Sequence, residues 1–329
     1  MNTTGFTLGK FAPLHKGHQY MIERALSEVD ELYLLIYESD LIPVPLSVRA
    51  GWIRELYPQV HVIEGWDGPD DSSLGADGSS DRAVEIIQED YILKMLKGQK
   101  IDRFYSSEFY GEHVSRALGA QDCRVDEART VIPVSATMIR ANPYQYREFI
   151  SDTVYKDLIT KIVFMGAPST GKSTLTEALA KHYHTEWNPE YGREYWENNQ
   201  IDRRIALEEF DTIALEHIRR AEEAVLRADK YLFVDTNAIT TYMFCMDYHG
   251  KTPELLTNLA FENSRRYDLV FLCEDDIPYD DTWDRSGEQK RHTFHKQIKA
   301  DLAERRIPYN TLRGSLEERI RKVETVLKR

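Results

Sequence analysis

The 329-residue chain is short of cysteine, of basic residues and of long apolar runs. Its three cysteines, Cys123, Cys245 and Cys273, lie far apart. That spacing offers neither a disulfide framework nor a cysteine metal site, and it suits a reducing compartment. No apolar stretch approaches the roughly 20 residues of a bilayer-spanning helix. Met1 to Lys10 lacks the basic segment and apolar run of a secretory leader. These absences predict a cytoplasmic protein with no membrane insertion. Lys and Arg number 42 against 55 Asp and Glu, a formal net charge of −13. An acidic surface opposes general binding to nucleic acid, so no DNA partner is expected. The imbalance is uneven: residues 1–157 hold 16 basic and 25 acidic residues, and the rest hold 26 and 30.

What is present is organised around the segment from Lys161 to Thr174. An apolar run, Ile162 to Met165, reads as a buried strand, and Leu175, Ala178, Leu179 and Tyr183 recur at helical spacing. Between them stands Gly166-Ala167-Pro168-Ser169-Thr170-Gly171-Lys172-Ser173-Thr174. Strand, G-x-x-x-x-G-K-S and helix together make a P-loop. The glycines let backbone N–H groups curl around a phosphate, and the helix start adds its positive end. Lys172 would reach the β- and γ-phosphates of ATP, and the Ser173 hydroxyl would hold Mg²⁺. Since such a domain begins with this strand, two domains are expected, 1–157 and 158–329.

In the first of these, strand and helix signals alternate. Strands are expected at Thr4–Leu8, Leu32–Tyr37, Val60–Ile63 and Phe104–Ser106, with helices between them, one of them capped by Ser47. That order predicts a doubly wound parallel sheet. After the first strand comes Gly9-Lys10-Phe11-Ala12-Pro13-Leu14-His15-Lys16-Gly17-His18, and late in the domain Ser135-Ala136-Thr137-Met138-Ile139-Arg140. These segments resemble the two signatures of the nucleotidyltransferase superfamily, G-x-F-x-P-x-H-x-G-H and S-x-T-x-x-R. The chemistry accounts for the residue types. Adenylyl transfer needs the α-phosphate of ATP held still while charge builds on the leaving pyrophosphate. His15 and His18, one turn apart at a helix start, offer two donors to one phosphate, with Gly17 giving close approach. Arg140, Ser135 and Thr137 would bind the departing phosphates. Gly9, Lys10 and Phe11 complete the nucleotide-binding turn. A segment from Glu64 to Asp90, with nine acidic residues and only Arg82 basic, opens as a long loop.

In the second half, Tyr231–Val234 reads as a strand that delivers Asp235. An Asp there can hold Mg²⁺, take the proton from a substrate hydroxyl, or merely cap the next helix. A long helix is expected over about 206–228, a strand over Leu269–Cys273, and a polar loop beyond it. Arg285 and Arg291 flank that loop as lid arginines do in nucleoside and nucleotide kinases.

This half resembles the ribosylnicotinamide kinase domain of the NadR family, through GAPSTGKST, Glu190-Tyr191-Gly192-Arg193-Glu194-Tyr195, Asp235 to Thr241 and the strand Asp268 to Leu272 with its lid. NadR proteins join that kinase to an N-terminal adenylyltransferase of the H-x-G-H type, so the resemblance covers nearly the whole chain. It implies two doubly wound α/β domains and a bifunctional transferase of NAD salvage. Nicotinamide riboside would be phosphorylated to nicotinamide mononucleotide (NMN), then adenylylated to NAD, with ATP and Mg²⁺ at each step. Asp235 would be the base. Glu190, Arg193, Trp283 and Asp284 are candidates for the riboside pocket, with Asp281 an alternative to Asp284. With the first motif beginning at Gly9, the helix-turn-helix of enteric members is not expected. A link to a riboside permease and a homo-oligomer are compatible with the resemblance. An active kinase joined to a nucleotide-sensing first domain remains the alternative.

Overall fold

The most apolar short runs, residues 34–37, 162–165, 231–234 and 270–273, become buried segments of strands. The computed structural model describes residues 2–67, 82–107, 111–201, 205–278 and 288–328. The chain divides into two units, Met1–Leu158 and Ile159–Arg329.

The first unit runs β1 (Thr4–Gly9), α1 (Lys16–Leu26), β2 (Glu31–Tyr37), α2 (Leu46–Leu56), β3 (His61–Gly65), α3 (Arg82–Leu96), β4 (Arg103–Ser106), α4 (Gly111–Leu118), β5 (Gln121–Arg124), α5 (Ala136–Ala141) and α6 (Asp152–Leu158). Its five strands are parallel, in the order β3-β2-β1-β4-β5. Strand order reverses beside β1, and such a reversal opens a crevice at the carboxyl ends of the strands. The turn after β1 therefore leads straight into the place where ligands of this architecture bind. Phe6, Leu35, Ile92, Phe104 and Val114 form the core beneath it. The cap expected at Ser47 is not made. Pro45 precedes the first turn of α2, and Ser47 lies inside the helix. Proline suits that place because its fixed φ preorganises the entry.

The second unit runs β6 (Thr160–Met165), α7 (Lys172–Tyr183), β7 (Trp187–Asn188), α8 (Tyr191–Asn199), α9 (Glu209–Val225), β8 (Tyr231–Asp235), α10 (Ala238–His249), α11 (Glu254–Glu262), β9 (Leu269–Cys273), α12 (Glu288–Glu304), β10 (Asn310–Leu312) and α13 (Leu316–Leu327). Its strands are also parallel, in the order β10-β9-β6-β8-β7. Here β6 is central. Phe164 on β6 stacks on Phe271 of β9 with ring centroids 5.5 Å apart, and both are fully buried. The long helix starts at Glu209 rather than 206. Glu209 instead folds back to accept the Ala206 N–H at 2.6 Å. Among the described residues no helix is long and apolar enough to cross a membrane.

Candidate active sites

In the first unit His15 is the N-cap of α1, and its Nδ1 accepts the Gly17 N–H at 3.1 Å. With Nδ1 accepting, a neutral His15 carries its proton on Nε2 and has one donor left to offer. The His15 and His18 rings stack at 3.8 Å, and Phe11 packs edge-on against His18 at 4.9 Å. A Cβ at Gly17 would lie 2.9 Å from the His15 ring, so any larger residue there pushes that ring aside. Burial lowers the His15 pKa to about 4, helped by the charges of Arg129 and Arg140. Burial, then His15 and Arg129, hold His18 well below its usual range. Both rings are therefore neutral donors at physiological pH. The Nδ1 of His18 is buried with no hydrogen-bond partner among the described residues.

Ser135 caps α5, accepting the Met138 N–H at 3.2 Å. Arg140, one turn on, donates to the Ala12 carbonyl at 2.7 Å and to the Thr137 hydroxyl at 2.9 Å. The two sequence signatures are thus fastened together: Arg140 of the second ties down the turn of the first. Two further arginines went unnoticed in the sequence. Arg49 is fully buried and donates to the carbonyls of Lys10, Tyr37 and Val44 and to the Glu38 carboxylate. It pins the turn after β1 to the end of β2. Arg129 sits on a loop that Asp126 braces by accepting the N–H groups of Thr130, Val131 and Ile132 at 2.8, 3.0 and 2.8 Å. That loop lies against the His15–His18 turn, since a Cβ at Gly17 would also approach Ile132 to 3.9 Å. No motif marks either arginine.

In the second unit a Cβ at Gly166 would stand 2.7 Å from the Cys273 carbonyl oxygen, so the loop can fold over β9 only with glycine there. The buried Thr170 hydroxyl and the Lys172 ammonium both donate to the Ala167 carbonyl, at 2.8 and 2.9 Å. Ser173 and Thr174 follow in the first turn of α7, above the loop residues Pro168, Ser169 and Gly171.

Asp235, the last residue of β8, is fully buried. Asn237 caps α10 instead, accepting the Thr240 N–H at 3.2 Å. This removes the capping role that the sequence left open for Asp235. Neither Asp235 carboxylate oxygen meets a hydrogen-bond partner among the described residues. Its pKa is raised to about 6 by burial first and by the Glu190 charge second. Lys172, the nearby Ser173 hydroxyl and Arg193 partly offset these. Thr236 beyond it is held at φ +65°, a strained conformation for a β-branched residue. Buried His217, its pKa lowered to about 4 chiefly by desolvation, lies 3.3 Å from the Thr236 carbonyl and 3.2 Å from the Asn188 amide.

Of these groups Thr236 and His217 line one cavity, while Asp235, fully buried next to Thr236, is not part of its lining. Lys172, Glu190, Arg193 and Arg291 line it together with an aromatic wall of Trp196, Phe210, Phe244 and Phe294. Glu190 and Arg193 pair at 3.6 Å. Phe244 stacks on Phe294 at 4.7 Å. At the rim Lys290 pairs with Asp247 at 3.0 Å. Arg291 is 3 % exposed and donates to the Ile277 carbonyl at 2.8 Å. Asp281, Trp283, Asp284 and Arg285 lie outside the described residues, as does the acidic stretch 68–81. The aromatic wall was missed because Phe244 and Phe294 read as ordinary apolar positions of amphipathic helices.

A family model described as an AAA domain matches residues 161–319. A curated relative is the "Trifunctional NAD biosynthesis/regulator protein NadR" of Escherichia coli (strain K12). It is 33% identical over 301 residues, covering 84% of this chain and 70% of the relative. Two solved structures share the fold. NadR protein in complex with NAD and AMP-PNP superposes with a TM-score of 0.60 at 23% identity, covering 100% of this chain and 96% of that one. NadR protein in complex with NR gives 0.58 at 24% identity over the same shares.

Proposed function

The chain belongs to the NadR family, and on that premise we propose that it makes NAD in two ATP-dependent steps, one in each unit. The second unit phosphorylates nicotinamide riboside. The 5′-hydroxyl oxygen attacks the γ-phosphorus, the γ-phosphorus–oxygen bond of ATP breaks, and ADP leaves. Asp235 takes the hydroxyl proton, and a carboxylate with its pKa raised to about 6 is well matched to that task near neutral pH. Lys172 and Arg291 neutralise charge on the moving phosphoryl group. Glu190 and Arg193 suit the ribose hydroxyls, and the aromatic wall suits a flat ring. The donor set also fits a divalent cation, since the buried Asp235 carboxylate stands beside the Ser173 hydroxyl. Ser173, with Asp235, would hold the Mg²⁺ that accompanies ATP, and the ion would screen phosphate charge.

The first unit joins the product to a second ATP. A phosphate oxygen of NMN attacks the α-phosphorus, and pyrophosphate leaves. No covalent intermediate is required, so positioning and electrostatics carry the step. His15 and His18 donate to the α-phosphate as neutral imidazoles. Arg140 and Arg129 face the leaving phosphates. The observation that carries the whole reading is the presence in one chain of a stacked H-x-G-H turn braced by Arg140 and of a P-loop whose Lys172 and Ser173 act on a buried Asp235.

Purified protein given Mg-ATP and either riboside or mononucleotide, with products resolved by mass, tests it. NAD from both substrates supports the reading. Mononucleotide alone from riboside, with nothing from mononucleotide, reduces the first unit to a nucleotide-binding domain. No product from either rejects both assignments.

A further inference from the structure

Arg319, in the first turn of α13, is 2 % exposed. Its guanidinium spans three loops. Nη1 donates to the Thr170 carbonyl at 2.5 Å. Nη2 donates to the Glu274 carbonyl at 3.2 Å and the Asp276 carboxylate at 2.6 Å. Nε donates to the Gly314 carbonyl at 3.1 Å. These acceptors belong to the loops that leave the carboxyl ends of β6, β9 and β10, the three adjacent strands on that side of the sheet. Asp276 closes the group by accepting the Gly314 N–H at 2.8 Å. The helix that carries Arg319 is itself fixed at its start by a capping box between Ser315 and Glu318.

One of these bonds bears on phosphate binding. A trans peptide points its C=O and N–H in opposite directions. With the Thr170 carbonyl drawn to Arg319, the Gly171 N–H is aimed away from it, and N–H groups of this loop are what a P-loop offers a phosphate. Gly171 sits at φ +75°, and glycine turns its flanking peptide over at little steric cost. Something outside the loop must therefore hold that peptide, and Arg319 is the side chain that does so.

We propose that Arg319 is a positioning residue for phosphoryl transfer, which holds the 170–171 peptide in its anion-binding orientation and so sets the ATP affinity of the second unit. The proposal rests on the reading of that unit as an ATP-dependent kinase. It makes the C-terminal helix part of the phosphate site although none of its side chains lines the cavity. A plain packing role for Arg319 would instead change stability throughout the unit and leave nucleotide affinity alone.

Amide hydrogen exchange on the full chain separates the two, titrated with Mg²⁺ and AMP-PNP. In Arg319→Gln, exchange across 166–174 should rise without nucleotide. The AMP-PNP concentration giving half-protection there should rise about tenfold, as the loss of one charge-assisted hydrogen bond implies. Peptides from β6 and from the first unit should not change. Arg319→Lys, which keeps a charged donor, should recover part of the affinity. An unchanged half-protection point in Arg319→Gln overturns the proposal, and so does faster exchange spread over the whole second unit. Should Arg319→Gln not fold, Asp276→Asn replaces it. It leaves the arginine in place, removes its anionic partner, and should weaken AMP-PNP protection several-fold; wild-type protection would overturn the proposal. Wild-type protein with no AMP-PNP protection of 166–174 overturns both this proposal and the kinase reading. Protection without riboside phosphorylation overturns only the substrate.

Discussion

Asn237 and Asp235, two residues apart, divide two tasks that one side chain could not perform together. Asn237 accepts the Thr240 N–H at 3.2 Å and caps α10. Asp235, fully buried at the end of β8, keeps both carboxylate oxygens without a partner among the described residues. A buried carboxylate left in this state opposes folding. The second unit therefore carries a cost for its chemistry at this residue.

That cost can be measured. The folded-state pKa of Asp235 is raised from 3.8 to about 6, so the folded protein holds the proton more tightly than the unfolded chain. The destabilisation is absent below the unfolded pKa, grows through the interval, and is complete above the folded one. Asp235→Asn should stabilise the second unit by on the order of 2–3 kcal/mol at pH 7.5. The gain should vanish below pH 4, and riboside phosphorylation should be lost at every pH. Thermal melts and initial rates across pH check this. A variant that melts lower than wild type at pH 7.5 would show that Asp235 stabilises the fold.

The same residue sets an acid limb for the kinase. Protonated Asp235 cannot accept the hydroxyl proton, so kcat/KM for riboside should fall about tenfold per pH unit on the acid side, below a pKa that bound Mg²⁺ can only lower from about 6. Adenylyl transfer should lack this limb, because burial holds both imidazoles neutral far below pH 6.

Gly17→Ala should damage the first unit locally. The added Cβ would sit 2.9 Å from the His15 ring, so that ring must rotate and lose its bond to the residue 17 N–H. Displacing one donor by about 1 Å can lower the rate of a positioned reaction about a hundredfold. NAD formation from NMN should fall by that order, and riboside phosphorylation should be unchanged.

Arg129→Ala tests a residue that no motif flags. If the Asp126-braced loop presents a cation to the triphosphate, the variant should lose roughly ten- to a hundredfold in kcat/KM for ATP in adenylyl transfer, the worth of one charge-assisted contact. Its far-ultraviolet circular dichroism should match wild type. Wild-type kinetics would remove Arg129 from the site.

Both signatures were legible because each packs its chemistry into a contiguous turn. A turn of the G-K-F-A-P-L-H-K-G-H type places His15 and His18 together by local geometry alone. The strand that delivers Asp235 was equally clear. Which task Asp235 performs was not, because Asp and Asn are both good caps and only the packed turn shows that Asn237 took the role. Ser47 misled for the same reason: a good capping residue stands two positions after Pro45, which already occupies the N-cap of α2. Arg49 and Arg319 stayed hidden because most of their partners are backbone carbonyls that only the fold brings together, with one carboxylate each, Glu38 and Asp276. A carbonyl has no residue type, so no sequence pattern encodes it.

The central claim is that two separate sites act in series, and crossed lesions test it most directly. Lys172→Ala and His18→Ala would each be given Mg-ATP with riboside and, separately, with mononucleotide. Lys172→Ala should leave riboside unconsumed, with a loss of about a hundredfold or more, and should still convert mononucleotide to NAD at the wild-type rate. His18→Ala should turn riboside into mononucleotide that accumulates without becoming NAD. If either lesion abolishes both conversions, or if His18→Ala still yields NAD at the wild-type rate, the account of two sites in series is wrong.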